Sequence, residues 1–399
     1  VEKLRILQLV PRFPFPPDDG GKIGIANIYR EFSEQGTDVT LFSLGDEEIT
    51  EETLAQAEKY GKVHIFKQNT ENTFPRMLNS ALFWQSIYLE KHNNKSIRNE
   101  LEKLISHKKF DIIHADHTCM APLGLYAGRI AKIPVGLRLH NIEHTIWQRY
   151  AEDLLVFNPK KYYVLQQASI LKKAEADIIN KVDVNFAITQ PDKEKALSLA
   201  PNANVVVASA GVNPEEWKPD ETIARNSKEI ILATTYHWVH NVNGLKWFLN
   251  NVFPIIQSEI HDIKLTLIGK EAPDWLLNYK TKGVNVLGYV DRVKPYYNSA
   301  SINIAPLFVG GGIRIKILEA MAMELPVVAT SQAAEGISRE CKGLFIADSK
   351  EDFAKKIIQL ANNPDLARET GKSARQFIIN EYSWKRNVGI MIGEYRKLI

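Results

Sequence analysis

Cysteine is nearly absent from this chain: Cys119 and Cys341 are the only two among 399 residues. Two thiols so far apart make neither a disulfide framework nor a zinc knuckle, which favours a reducing compartment. Also missing is any apolar run near the ~20 residues that cross a bilayer, so the chain is expected to be soluble or to lie on a membrane. An excess of one charge is lacking too. The 50 Lys and Arg against 47 Asp and Glu leave a net +3, which argues against nucleic acid as a partner but leaves room for a small anion. No Asp-x-Asp pair offers itself to a divalent ion, no Gly-x-Ser-x-Gly turn presents a nucleophile, and no Walker lysine follows a glycine loop. The first residues, Val1-Glu2-Lys3-Leu4-Arg5-Ile6, have no signal-peptide layout and run straight into a strand pattern. The expected location is cytoplasmic, with peripheral contact at the inner face of the membrane as a variant.

What fills the chain is an alternation of short apolar runs with longer helical patterns. The first series of strands is read at 5–10, 38–44, 63–66, 110–115, 133–139, 183–188 and 205–208. The second is read at 229–234, 263–268, 284–287, 301–305, 326–329 and 344–346. Near-continuous apolar strands separated by helices imply parallel sheets covered on both faces. The length exceeds what one core organises. The expected architecture is therefore α/β, with two doubly wound Rossmann-like domains at 1–211 and 212–383. A Pro- and charge-rich linker runs from residue 211 to 221, and helix 384–399 packs back on the first domain. Two such domains make a cleft, and their ligands bind at the carboxyl ends of the strands.

The segment richest in chemistry is Gly310-Gly-Gly-Ile-Arg-Ile-Lys-Ile-Leu-Glu319, which follows the strand pattern ending in Ala305. Glycines let backbone approach a ligand closely, and a helix start offers unpaired N–H groups with a positive dipole. Arg314 and Lys316 on the first turn oppose that dipole, so helix stability does not account for them. A bound diphosphate would resolve the conflict, and Glu319 near the second turn is placed to meet a ribose diol. The bland reading, a glycine turn before a solvated basic helix, explains the glycines but not the three charged residues together.

Ala305-Pro-Leu-x4-Gly-x-Arg-x-Lys-x-Leu-Glu-Ala-Met-Ala, followed by Leu325-Pro-Val-Val-Ala-Thr and Glu335-Gly336, resembles the donor-binding segment of retaining family-4 glycosyltransferases. The resemblance implies the two-domain GT-B fold, the first domain holding the acceptor and the second the nucleotide sugar. It implies backbone contacts to the diphosphate from Gly310, Gly311, Gly312 and Ile313, with Glu335 and Gly336 completing the pocket. Many relatives carry a second glutamate eight positions before the one matched by Glu319; that position is Gly311 here, as in a subgroup with a glycine-rich loop and Arg-x-Lys. Relatives also place an Arg and a Lys after the first strand of the second domain. This chain has neither between Ile230 and Leu245, which gives Arg314 and Lys316 the diphosphate, with His237 and Asn241 as lesser candidates.

Two features of the first domain fit the same reading. Gly20 and Gly21 open a helix after the loop that starts at Pro11, where the family carries a glycine pair facing donor and acceptor. His140 ends a strand pattern in Leu137-Arg-Leu-His-Asn-Ile-Glu-His144, where the resemblance puts a histidine against the transferred sugar. His140-x-x-Glu143-His144 also matches a short zinc-peptidase pattern, which needs both histidines on one helical face, whereas His140 ends a strand. Asp116 and His117 read as cleft lining. The run 74–98, with Phe74, Phe83 and Trp84 among basic residues, reads first as a packed helix and second as an amphipathic face toward a lipid-linked acceptor or membrane.

The function expected is transfer of a sugar from a UDP- or GDP-type donor to a saccharide, lipid-linked or protein-linked acceptor, with retention, in surface polysaccharide or glycoconjugate synthesis. It needs no metal and no cofactor beyond the donor. The rivals are a nucleotide-sugar epimerase of the same fold and a catalytically silent nucleotide-sugar binder.

Overall fold

The computed structural model describes residues 3–45, 49–309 and 312–399. Gly310 and Gly311 of the glycine loop lie outside the described residues. The chain divides into two compact units, one of residues 1–209 with 387–399 and one of residues 210–386.

The first unit is built on β1 (Arg5–Val10), β2 (Asp38–Gly45), β3 (Lys62–Lys67), β4 (Ile112–Asp116), β5 (Val135–Leu139), β6 (Val184–Ala187) and β7 (Val205–Val207). Their order across the sheet is β3-β2-β1-β4-β5-β6-β7, and every pair is parallel. All residues of β4, β5 and β6 are buried, as unbroken apolar strands between two helical layers must be. The second unit holds β8 (Glu229–Thr235), β9 (Lys264–Lys270), β10 (Val284–Gly288), β11 (Ile302–Ala305), β12 (Val327–Ala329) and β13 (Leu344–Ile346), in the order β10-β9-β8-β11-β12-β13 and again all parallel. Its apolar residues form one core cluster around Ile231, Leu318 and Val327 and another around Ile230, Phe248 and Leu265. Alternating residues of β8 thus feed opposite faces, as the pleat requires.

In each sheet the strand order reverses once, between β1 and β4 in the first and between β8 and β11 in the second. Loops at such a switch point diverge and leave a crevice at the carboxyl edge. The segments after β1, β4, β8 and β11 are therefore the ones the topology offers to ligands.

Two joints tie remote sequence into these units. Tyr395, on the helix Trp384–Arg396, is fully buried in the first unit. Its ring meets Phe186 edge-on at 5.4 Å, and its hydroxyl lies against Nδ1 of His114. A Cβ on Gly136 would stand 2.4 Å from that ring, so the central strand β5 must carry glycine there. In the second unit, Arg375 donates to the carbonyls of Trp217, Ala322 and Pro214, and Val212 bridges to Ser383. The segment that composition marks as a linker is docked by these bonds.

Candidate functional site

The carboxyl edge of the second sheet gathers the charged residues that the glycine segment suggests. Gly312 has φ of 78°, a left-handed backbone that favours glycine, and nothing lies within 4 Å of where its Cβ would stand. Ile313 leads on to Arg314, which is the extended N-cap of the helix Ile315–Ala322. No side chain caps this helix start, so the N–H groups of its first turn present their dipole to whatever lies beyond. Arg314 is half-buried and feels the carboxylate of Glu335, which accepts from Nε2 of Gln332 at 2.8 Å. Gly336, with φ of 82°, turns the chain after it, and its carbonyl accepts from the Tyr382 hydroxyl at 3.4 Å.

One turn into the helix, Glu319 is 5% exposed. Burial raises its pKa, Lys316 opposes that, and Glu216 adds to it. The Lys316 ammonium donates to Oε2 of Glu319 at 2.8 Å and lies 5.8 Å from the centre of the Trp217 ring. A buried carboxylate paired with one exposed cation keeps an oxygen available to hydroxyl donors. Lys316 thus does two things: it pulls the Glu319 pKa down against burial, and its exposed ammonium adds positive charge beside the uncapped helix start.

Across the switch point, the lesser candidates after β8 are engaged locally. Asn241 donates to the Thr235 carbonyl at 2.7 Å, closing the turn after the strand. His237 is exposed and pairs through Nδ1 with Glu271 at 2.9 Å. Sequence reasoning passed over Lys270, the last residue of β9, whose ammonium sits 5.0 Å from the centre of the Tyr289 ring at the same edge. A lysine directly after Gly269 at a strand's carboxyl end was the available signal.

In the first unit Asp19 is the N-cap of the helix Gly20–Glu34. It accepts from the N–H groups of Gly21 and Lys22 at 2.9 and 3.0 Å and pairs with Arg12 at 2.6 Å. An anion reaching those two N–H groups would compete with Asp19. Nothing lies within 4 Å of a Cβ placed on Gly20, so that backbone stands clear.

His140 follows β5 beside a buried ion pair. Arg138, 1% exposed, donates from Nη1 to Oδ1 of Asp116 at 3.0 Å and to Nδ1 of His140 at 3.3 Å. A guanidinium only donates, so His140 Nδ1 must accept and the ring proton sits on Nε2. Burial pushes the pKa of His140 well down, with His117 and Arg138 adding to it. His140 is thus a neutral donor through Nε2, and the His117 ring stacks on it at 4.5 Å. A Cβ on Gly24 would stand 3.0 Å from the Arg138 guanidinium, so glycine admits that group against the helix backbone.

Beyond His140, the helix Glu143–Glu152 is capped from a distance. Glu175 accepts from the N–H groups of Glu143 and His144 and from Nδ1 of His144, at 2.7, 3.0 and 2.7 Å. His144 is therefore turned to Glu175, and no group of three or more His, Cys, Asp or Glu able to hold a metal ion occurs among the described residues. Glu143 is buried and its pKa is pushed up to about 7, chiefly by burial, with His117 opposing and Glu175 adding. The folded value exceeds the unfolded one of about 4.3, so ionising Glu143 weakens the fold as pH rises through that interval. Glu143→Gln is expected to remove this loss. Thermal unfolding at pH 8 should show a gain of up to about 3 kcal/mol, shrinking to about 1 kcal/mol at pH 5.

Each unit matches a known family. Residues 228–363 match the glycosyl transferases group 1, and residues 19–216 match glycosyltransferase family 4. A relative described as an uncharacterized 44.6 kDa protein in cps region, from Klebsiella pneumoniae, is 25% identical over 386 residues, covering 94% of this chain and 95% of its own. Among solved structures, sucrose-phosphate synthase from Thermosynechococcus elongatus aligns with a TM-score of 0.70 at 14% identity, covering 99% of each chain. HepE from Anabaena, solved in complex with UDP, aligns with a TM-score of 0.66 at 12% identity, covering 99% of this chain and 100% of its own. With a family match over most of each unit and two parallel sheets of matching fold, the chain belongs to the group 1, family-4 glycosyltransferases of the GT-B fold.

Proposed function

We propose that this glycosyltransferase moves a sugar, with retention and without a metal ion or other cofactor, from a UDP- or GDP-type donor to a saccharide acceptor, free or carried on lipid or protein. The role that fits is cytoplasmic synthesis of surface polysaccharide or glycoconjugate. The observation that carries the reading is the uncapped helix start at Ile315, with Arg314 as its N-cap and the Lys316–Glu319 pair one turn in. Phosphate oxygens suit the N–H groups and the two cations, and a ribose diol suits the buried carboxylate. The UDP held by HepE supports the donor class.

In this reading the second unit holds the donor through Gly310, Gly311, Gly312, Ile313, Arg314, Lys316, Glu319, Glu335 and Gly336, with His237 and Asn241 at the margin. The first unit holds the acceptor, with Gly20 and Gly21 at the start of its first helix and His140 Nε2–H as the neutral donor it offers to a sugar hydroxyl. The bond from the anomeric carbon to the diphosphate breaks, and a bond to the acceptor oxygen forms. The acceptor's proton leaves with the diphosphate. Positive charge at Arg314 and Lys316 stabilises the leaving group as it develops charge. The Klebsiella relative in a cps region supports the polysaccharide setting.

A panel of UDP-, GDP- and ADP-sugars, read by nucleotide release with and without saccharide acceptor, tests this. Release from one UDP- or GDP-sugar should rise at least tenfold with acceptor. Conversion of the donor sugar without any acceptor would make the chain an epimerase. Donor-dependent thermal stabilisation without turnover would make it a silent binder.

A further inference from the structure

The first unit carries an apolar face that nothing in the described residues covers. Phe74 is 76% exposed on the helix Phe74–Leu82, and Leu82, Phe83 and Trp84 at its end are each 67% exposed. A second segment joins the helix Glu143–Glu152 to the helix Pro159–Lys181, and there Leu155 is 79% and Phe157 96% exposed. Isolated exposed apolar residues are ordinary; six large ones on two segments joined through one helix are not. The first segment packs on the helix that the second one leads into. Ser80 Oγ meets the Tyr163 hydroxyl at 2.9 Å, and Gln166 donates to the Ala81 carbonyl at 3.1 Å.

Charge within these two segments has one sign, although exposed Glu71, Glu90, Glu152 and Asp153 stand at their borders. Residues 72–89 and 154–173 contain no Asp or Glu, although the chain has 47, while they contain Arg76, Lys160, Lys161, Lys172 and Lys173. The face also projects. The helix Pro159–Lys181 has 23 residues, about 34 Å at 1.5 Å each, and it returns to the start of β6, beside a β5 of five residues that spans roughly 16 Å. Its N-terminal half and the Leu155–Phe157 segment therefore stand beyond the carboxyl edge of the first sheet, the edge that bears His117 and His140.

We propose that this face seats on an anionic phospholipid bilayer. Phe74, Leu82, Phe83, Trp84, Leu155 and Phe157 enter the headgroup boundary, and Arg76, Lys160 and Lys161 meet lipid phosphates. Aromatic side chains beside segments whose own charges are all cationic match the two halves of such an interface. The consequence is that the acceptor edge of the first unit lies toward the membrane surface, where a lipid-carried acceptor is presented. The binding itself does not depend on the transfer reaction.

Vesicle flotation with the full chain and no donor tests it separately from catalysis. The chain should bind vesicles of phosphatidylcholine mixed with phosphatidylglycerol, and bind less to phosphatidylcholine alone or at high salt. Trp84→Ser with Phe157→Ser should lower the partition at least about tenfold, and Lys160→Glu with Lys161→Glu should abolish the preference for phosphatidylglycerol. Both pairs should leave the melting temperature unchanged. Absence of binding to the anionic vesicles overturns the proposal, as does binding indifferent to both pairs of substitutions. A dimer in light scattering that Trp84→Ser with Phe157→Ser dissolves would give the face to a second copy instead.

Discussion

Asp116→Ala is expected to destabilise the first unit by about 3–5 kcal/mol, seen as a fall of roughly 10 °C in its melting temperature. Arg138 is buried at 1% exposure, and Asp116 is the carboxylate that faces it, at 3.0 Å. Gln8 Nε2 donates to the same carboxylate at 3.4 Å, His117 stands 3.2 Å from it and His114 3.9 Å. Burial alone would raise the Asp116 pKa, but Arg138 and the two histidines outweigh it and hold it well below the ordinary value. Taking away the carboxylate strands a guanidinium that cannot shed its proton. Asp116→Ala combined with Arg138→Met should recover more than half of the loss, because the cost lies in the uncompensated charge rather than in missing contacts. The pH dependence has a definite sign. A depressed folded pKa gives stability that is complete above the unfolded value of about 4 and is lost as pH falls toward the folded one. The alanine variant should lack that part of the acid sensitivity. Urea unfolding of the single variant within about 1 kcal/mol of the parent would remove the ion pair from any structural role.

The fold was legible because burial writes itself into sequence. Runs such as Ile6-Leu7-Gln8-Leu9-Val10 and Ile302-Asn303-Ile304-Ala305 are apolar enough to be covered on both faces, and spacers of helical length leave parallel pairing as the way to assemble them. Strand ends shifted by a residue or two, as at 133–139 against Val135–Leu139, because Ile133 and Pro134 are as apolar as the strand they precede. Local chemistry could be read at Arg314 to Glu319, since one helical turn brings i and i+3 together and the Lys316–Glu319 contact is of that kind. Partnerships across the sheet could not. Arg138 looks like an interruption in an apolar strand until β4 places Asp116 beside it, and Glu175 looks like a surface residue of a long helix until it accepts three hydrogen bonds at the start of another. His140 shows the same limit. Its position at a strand end is in the sequence, but its neutral state follows chiefly from burial, and its proton on Nε2 from Arg138 two residues away, whose direction is set by Asp116.

Arg314→Ala with Lys316→Ala is expected to lower kcat/KM for the donor by two to three orders of magnitude, about 3–4 kcal/mol, while melting temperature stays near the parent value. The two cations act differently, and pH separates them. Arg314 contributes a fixed charge at the head of the helix, so Arg314→Ala should lose activity equally across neutral pH. Lys316 also sets the ionisation of Glu319. Burial already raises the Glu319 pKa while Lys316 pulls it down, so without the ammonium that carboxyl holds its proton to higher pH. A protonated Glu319 is a weaker acceptor for a ribose hydroxyl. Donor affinity of Lys316→Ala should therefore fall below that of Arg314→Ala at the acid end of the range and recover in part as pH rises, whereas the parent varies less. Isothermal titration with nucleoside diphosphate alone reads this without turnover. A profile for Lys316→Ala as flat as that for Arg314→Ala would separate Glu319 from the ribose, and unchanged kinetics in the double variant would separate both cations from the diphosphate. If instead the pH-dependent loss appears with nucleoside diphosphate and not with inorganic pyrophosphate, the carboxylate reads the nucleoside and the arginine reads the phosphates, as proposed.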